Sequence, residues 1–183
     1  MPFELRPIAS SDVDAVAQLH ASSWRSAYRG ILSDAYLDGD LLGDRMAVWD
    51  RRLAQLSRQR YGFLALHDRE PIGFSFAFIS DDEEWGTRLD NLHVLPSARG
   101  TGIGRALIGK IGYAALEHAP SKGVYLWVYE QNQPARGFYE RLQGKPVERV
   151  VVAAPDGKQI PEWRYVWNDP ALLLKALDCG GDG

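Results

Sequence analysis

The segment Arg99-Gly-Thr-Gly-Ile-Gly-Arg105 sets three glycines within five positions, after a β-rich run that ends at Pro96 and before an apolar-periodic run. Glycine reaches left-handed backbone conformations without steric cost, so successive N–H groups in such a turn can converge on one anion. A helix expected over residues 102–118 adds the positive end of its dipole, and Arg99 and Arg105 can add charge-assisted hydrogen bonds. The chemistry these residues predict is phosphate binding. A dinucleotide fingerprint would require glycine at position 105, where arginine stands. A P-loop over residues 104–110 fails because Ile111 replaces the magnesium-binding hydroxyl and Ala106, Leu107 and Ile108 follow a helical pattern. A glycine turn without a ligand is the remaining alternative, which the neighbouring segments must decide.

Several elements have to position that turn. Residues 3–8 alternate as a short strand, and Ser11 with Asp14 offers a capping pattern for a helix carrying Val13, Val16, Ala17 and His20. A second helical region begins near Ser33, breaks around Gly39 and Gly43, and resumes through Met46, Trp49, Leu53 and Leu56. Residues 61–67 and 71–79 pattern as an antiparallel pair, with Phe74, Phe76 and Phe78 on one face, and a further strand over 88–95 leads into the glycine turn. Residues 123–129 are β-rich and residues 134–142 helical, with Pro134 in the first turn. Residues 146–153 and 163–167 close the chain as a hairpin across Pro155-Asp-Gly157. The order β-α-α-β-β-β-α-β-α-β-β predicts an α/β (α+β) fold with a mixed, mostly antiparallel sheet of about seven strands and about four flanking helices.

Bulk properties narrow the function. With 183 residues, 45% hydrophobic and 25% charged, the chain is expected to form one globular domain over residues 1–178, with a disordered tail at 179–183. Its 24 acidic against 21 basic residues, a net charge of -3, provide no global field for nucleic acid or an anionic membrane, so neither is an expected partner. The lone Cys179 can form no internal disulfide, and no metal site is expected. The N-terminal residues do not pattern as a secretion signal, and no apolar run is long enough to span a bilayer, so a cytoplasmic location is expected.

Residues 92–107, Leu-His-Val-Leu-Pro-Ser-Ala-Arg-Gly-Thr-Gly-Ile-Gly-Arg-Ala-Leu, resemble the signature segment of the GNAT acetyltransferases. Arg99, Gly102 and Gly104 occupy that family's Arg/Gln-x-x-Gly-x-Gly/Ala positions. Residues 126–139, Leu-Trp-Val-Tyr-Glu-Gln-Asn-Gln-Pro-Ala-Arg-Gly-Phe-Tyr, resemble the strand, asparagine and Ala-x-x-Phe-Tyr helix that complete the family's CoA site. Leu5-Arg-Pro with Asp12, and Ser23-Trp-Arg-Ser-Ala-Tyr-Arg-Gly30, are similar to the start of many small-substrate members. The resemblance spans about residues 3–168 and departs at Leu142-Gln-Gly-Lys-Pro146, where the family usually has Gly-Phe.

That resemblance implies a GNAT-like sheet and an N-acetyltransferase whose co-substrate is acetyl-CoA. It implies that backbone groups of Leu92, His93 and Val94 hold the pantetheine arm, and that the N–H of Val94 or its neighbour faces the thioester carbonyl. Arg99 and the turn residues Gly100, Thr101, Gly102, Ile103, Gly104 and Arg105 would hold the pyrophosphate. Asn132 and Phe138 would border the donor, and Tyr139 would protonate the leaving thiolate. Asn132 as a plain helix cap and Tyr139 as a core aromatic remain open alternatives. For the base that frees the amine, Glu83, Glu84, Asp90 and His93 are at hand, with Asp90 or Glu84 preferred; strand alternation puts Asp90 on the face opposite His93. Trp24, Tyr28 and Trp85 are candidate walls of the acceptor pocket. The acceptor would be a primary amine of a small molecule or peptide, and a homodimer fits the resemblance. A non-catalytic acyl-CoA-binding module, a transferase for a longer acyl-CoA and an interaction protein are the competing readings.

Overall fold

The computed structural model describes residues 1–179, so the expected disorder of the tail lies outside the described residues except at Cys179, which is an exposed free thiol. Seven strands form one sheet in the order β1-β2-β3-β4-β5-β7-β6. They are β1 (Glu4–Pro7), β2 (Arg60–His67), β3 (Glu70–Asp82), β4 (Gly86–Val94), β5 (Val124–Tyr129), β6 (Lys145–Ala153) and β7 (Gln159–Trp167). All neighbours pair antiparallel except β4 and β5. Among the described residues six α-helices accompany them: α1 (Val13–Ala27), α2 (Asp34–Asp38), α3 (Leu41–Leu53), α4 (Ile103–His118), α5 (Gln133–Arg141) and α6 (Pro170–Asp178).

The expected four helices become six for two local reasons. The second helical region divides at Gly39, after which Asp40 caps α3 by accepting from the Gly43 N–H, so the break expected at Gly43 does not occur. The sixth helix was missed although its start signal is plain: the Asp169 carboxylate accepts from the Ala171 N–H and Pro170 opens the first turn. Leu173 and Ala176 are buried, and a Cβ at Gly112 of α4 would stand 3.0 Å from Leu174, so glycine there allows α6 its close approach. At the other end, Asp12 replaces the expected Ser11/Asp14 cap. Its carboxylate accepts from the Ala9 N–H at 2.7 Å and from both terminal nitrogens of Arg6 at 2.7 and 2.8 Å.

The pleat divides the core between two faces. Phe74 and Phe76 turn toward α1 and α3, where Trp49 is fully buried against both rings at 5.3 and 5.2 Å. On the opposite face Ala77, Leu89, Leu126 and Val128 pack under α4 and α5 with Ile108, Ile111 and Tyr139. Two irregularities then position the site. Phe76 pairs with Asn91 but Ala77 with Leu89, so Asp90 is an extra, bulged residue in β4. β4 and β5 pair only at Thr87 with Val124 and Arg88 with Tyr125, and beyond that the strands diverge.

Candidate functional site

Where β4 and β5 part, a cleft of about 930 Å³ opens. It is bordered on the α4/α5 face by the glycine turn, Phe138 and Tyr139, and on the α1 face by Ser23, Tyr28, Tyr129 and Glu162, so it passes through the sheet. Backbone N–H and C=O groups of Leu92 and Val94 that point toward β5 have no ladder partner on that strand. Polar backbone lining a slot is a ready site for an extended, amide-bearing ligand.

In the glycine turn, Gly100 and Gly102 adopt φ of 77° and 86°, and a Cβ at either would meet nothing within 4 Å. The left-handed backbone is therefore what demands glycine, and the space beside it stays open. The Thr101 hydroxyl donates to the Ala98 carbonyl at 2.7 Å and pins the turn. The first intrahelical bond of α4 runs from the Ala106 N–H to the Gly102 carbonyl, which leaves the N–H groups of Ile103, Gly104 and Arg105 without helical acceptors at the positive end of the dipole. Arg99 donates through Nε to the Val94 carbonyl at 3.3 Å and keeps an exposed head.

The Arg105 side chain is engaged by α6, while its backbone N–H stays with the turn. Its guanidinium donates to the carbonyls of Ala176 and Leu177, neutralising the C-terminal end of α6. Arg105→Gln is accordingly expected to cost about 1 kcal/mol, or about 2–4 °C in Tm, while the donor's dissociation constant stays within a factor of about two. Thermal unfolding beside calorimetric titration separates the two roles; a tenfold weaker donor at unchanged Tm would return Arg105 to the phosphate.

Asn132 accepts from the Ala135 N–H at 3.4 Å, so it caps α5 while lining the cleft. Phe138 and Tyr139 both reach the cleft. Tyr139 is 8% exposed, its ring stands 6.1 Å from Tyr165 and 6.3 Å from Trp167, and its hydroxyl bonds to none of the described residues. Burial pushes its pKa up, so the hydroxyl keeps its proton throughout the neutral range. Past the α5 helix, where Leu142-Gln-Gly-Lys-Pro146 departs from the family pattern, the buried Leu142 carbonyl accepts from Trp167 Nε1 at 2.7 Å.

On the α1 face the sequence expectations divide. The bulge cancels the strand alternation that would separate Asp90 from His93. Arg52 of α3 holds both Asp90, at 2.7 Å, and Asn91, at 2.8 Å, while His93 Nδ1 meets Ser23 Oγ of α1 at 2.9 Å, so all three side chains lie on the same face. Asp90 borders the cleft but is engaged by Arg52 and by Arg88 at 3.3 Å. His93 is pushed down to about 3, first by burial and then by the charges of Arg99 and Arg45, so it is a neutral imidazole at neutral pH. Glu84 and Trp85 do not reach the cleft. They line a separate hollow of about 280 Å³ with Lys122 and Asn168, beyond the paired end of β4, where Arg164 stacks 4.8 Å over Trp85. Tyr28 lines the cleft, and Trp24 stands behind it, 5.2 Å from its ring and under the Arg45 guanidinium at 4.3 Å.

The residue that the sequence reading overlooked is Glu162. It lies in β7 opposite Tyr129 and borders the cleft; its carboxylate has no hydrogen bond or ion pair among the described residues, and burial pushes its pKa up. The signal was a charged residue inside an aromatic strand, Pro-Glu-Trp-Arg-Tyr; starting that strand at Trp163 left Glu162 in a loop. Among the described residues no cluster of His, Cys, Asp and Glu could hold a metal ion, and no helix is long and apolar enough to cross a membrane.

Comparison with known proteins gives the family. A model of the acetyltransferase (GNAT) family matches residues 14–144. The probable N-acetyltransferase Rv2775 of Mycobacterium tuberculosis is 32% identical over 145 residues, covering 76% of this chain and 79% of that one. The uncharacterised N-acetyltransferase YuaI of Bacillus subtilis is 29% identical over 180 residues, covering 95% and 98%. Among solved structures, the PaiA N-acetyltransferase of Thermoplasma acidophilum in complex with coenzyme A superposes with a TM-score of 0.68 at 20% identity, over 88% of this chain and 98% of that one.

Proposed function

As a member of the acetyltransferase (GNAT) family the chain is an N-acetyltransferase that draws on acetyl-CoA, and we propose that it passes the acetyl group directly to a primary amine, with the cleft between β4 and β5 as its active site. The observation that carries this reading is that one cleft joins the glycine turn to the Tyr139 hydroxyl and continues through the sheet to the α1 face. Donor and acceptor can thus approach from opposite faces and meet where the strands diverge.

The residues present suit that donor. Unpartnered N–H groups at the start of α4 and the Arg99 head supply positive potential for a pyrophosphate, and the unpaired edge of β4 supplies partners for amides. A β4 N–H near Val94 would stabilise negative charge on the carbonyl oxygen as the amine attacks. The step balances without a covalent enzyme adduct: an N–C bond forms, the C–S bond breaks with its electron pair going to sulfur, and Tyr139 gives that sulfur its proton. The proton lost from nitrogen then restores the tyrosine through solvent or a neighbouring group.

The direct test is release of free thiol from acetyl-CoA by the purified protein across a panel of amines, with products identified by mass spectrometry. The reading expects thiol in equal amount to N-acetylated amine and little thiol without amine. Donor binding with no acetylated product from any amine would make the chain a binding module instead.

A further inference from the structure

The α1 face of the cleft ends in a closed corner. Two segments far apart in sequence meet there: the Ser33 N–H donates to Asp156 Oδ2 at 2.6 Å, and Lys158 Nζ reaches the Ile31 carbonyl at 3.5 Å. The Asp156 side chain is 2% exposed but Lys158 beside it is half exposed, so the contact is part-buried, at the rim of the cluster. Beneath it Ile31, Leu32, Leu37 and Leu41 pack with Ala154 and Ile160 in one apolar cluster, which makes the α1–α2 loop and the β6–β7 turn a single packed unit. Tyr28 and Tyr129 are its inner surface, in edge contact at 5.3 Å. A polypeptide laid across this end of the cleft would have to part the loop from the turn.

Glu162 stands in this corner. It is the Cα partner of Tyr129, shares its face of the sheet and borders the cleft. Burial, and next the negative charge of Glu162, push Tyr129 up to about 12; Tyr28 is raised mainly by burial, then by its tyrosine neighbours, with a smaller contribution from Glu162. The other acidic group at the cleft, Asp90, is engaged by two arginines, whereas Glu162 has no cationic partner among the described residues. A half-buried carboxylate without a partner is costly unless a cation arrives to pair with it.

We propose that Glu162, with Tyr28 and Tyr129 beneath the Ser33–Asp156 clasp, is the specificity determinant for the acceptor, selecting a small primary alkylammonium that carries no carboxylate beside the nitrogen. The inference rests on the acetyltransferase reading above and adds the substrate class. The carboxylate attracts the ammonium head, the tyrosine rings favour a cation and an apolar stem, and a carboxylate next to the nitrogen would be repelled. The closed corner excludes a lysine side chain or terminus borne on a folded protein.

Three acceptors test this: phenethylamine, phenylalanine and a lysine-containing heptapeptide, each assayed with saturating acetyl-CoA in the native protein and in Glu162→Gln. Acetyl-CoA binding is measured in parallel by calorimetry. We expect phenethylamine to be acetylated with kcat/KM at least tenfold above both other acceptors. Glu162→Gln should raise KM for phenethylamine at least tenfold with unchanged donor affinity, and Glu162→Asp should restore part of the loss, which a purely structural role would not produce. Preference for phenylalanine or the heptapeptide, no acetylation of phenethylamine despite normal donor binding, or an unchanged KM in Glu162→Gln would overturn the proposal while leaving the acetyltransferase reading standing. Failure of both proteins to bind acetyl-CoA would instead sink that reading and the proposal with it.

Discussion

Replacing Tyr139 by phenylalanine is expected to lower kcat by about 10²–10⁴-fold, the usual contribution of a positioned proton donor, and to leave acetyl-CoA binding nearly unchanged. The substitution removes one oxygen that bonds to none of the described residues, and it keeps the ring that packs against Tyr165 and Trp167. No buried group loses a partner, so a loss of rate cannot be assigned to a damaged fold. In free energy the effect is about 2.7–5.4 kcal/mol at 1.36 kcal/mol per decade. Because burial raises the tyrosine pKa, its acid form is present below that raised value and throughout the neutral range; the pH profiles of native and variant proteins should therefore run parallel, with a constant ratio of rates, between about pH 6 and pH 9. Steady-state kinetics with calorimetric donor affinities checks this. A kcat within threefold of native would return Tyr139 to the role of a core aromatic.

Gly102→Val should weaken acetyl-CoA by about 10–100-fold, or about 1.4–2.8 kcal/mol. At φ 86° an L side chain is strained by about 1–2 kcal/mol, a β-branched one by more, and the turn would relax away from the geometry that aims its N–H groups into the cleft. The new side chain meets no protein atom within 4 Å, so it would occupy the space beside the cradle that a pyrophosphate needs. Gly157 provides the control, because it has the same φ of 86° and equally open surroundings but sits in the β6–β7 turn. Gly157→Val should suffer comparable strain and bind acetyl-CoA as the native protein does. Equal donor affinities in the two variants would mean that the cradle lies elsewhere.

Much of this was legible in the sequence because local chemistry decides it. The alternation of Phe74 and Phe76 marked the buried face of β3, and the glycine spacing from 100 to 104 marked a left-handed turn before a helix. Tyr28, Tyr139 and the residues 92–94, distant in sequence, border one cleft. What sequence reasoning missed depends on long-range geometry. One bulged residue at Asp90 reversed the expected faces of β4, a register detail set by pairing with β3. Arg105 turned to α6, whose arrival beside α4 could not be anticipated once that helix had been overlooked. Glu84 and Trp85 immediately precede the strand that carries the cleft residues but stand at its paired end, and only the parting of β4 from β5 distinguishes the two ends. The contact between Ser33 and Asp156 joins loops 123 positions apart, for which no local pattern exists.

Thermal unfolding of the purified protein with and without acetyl-CoA tests the central claim most directly, since it needs no knowledge of the acceptor. At a hundred times its dissociation constant the ligand should add about 2.7 kcal/mol, an upward shift of about 5–11 °C for a domain of this size. The account predicts that shift for acetyl-CoA, its retention in Tyr139→Phe and its reduction in Gly102→Val. No shift at millimolar acetyl-CoA, or an equal shift in Gly102→Val, would contradict it.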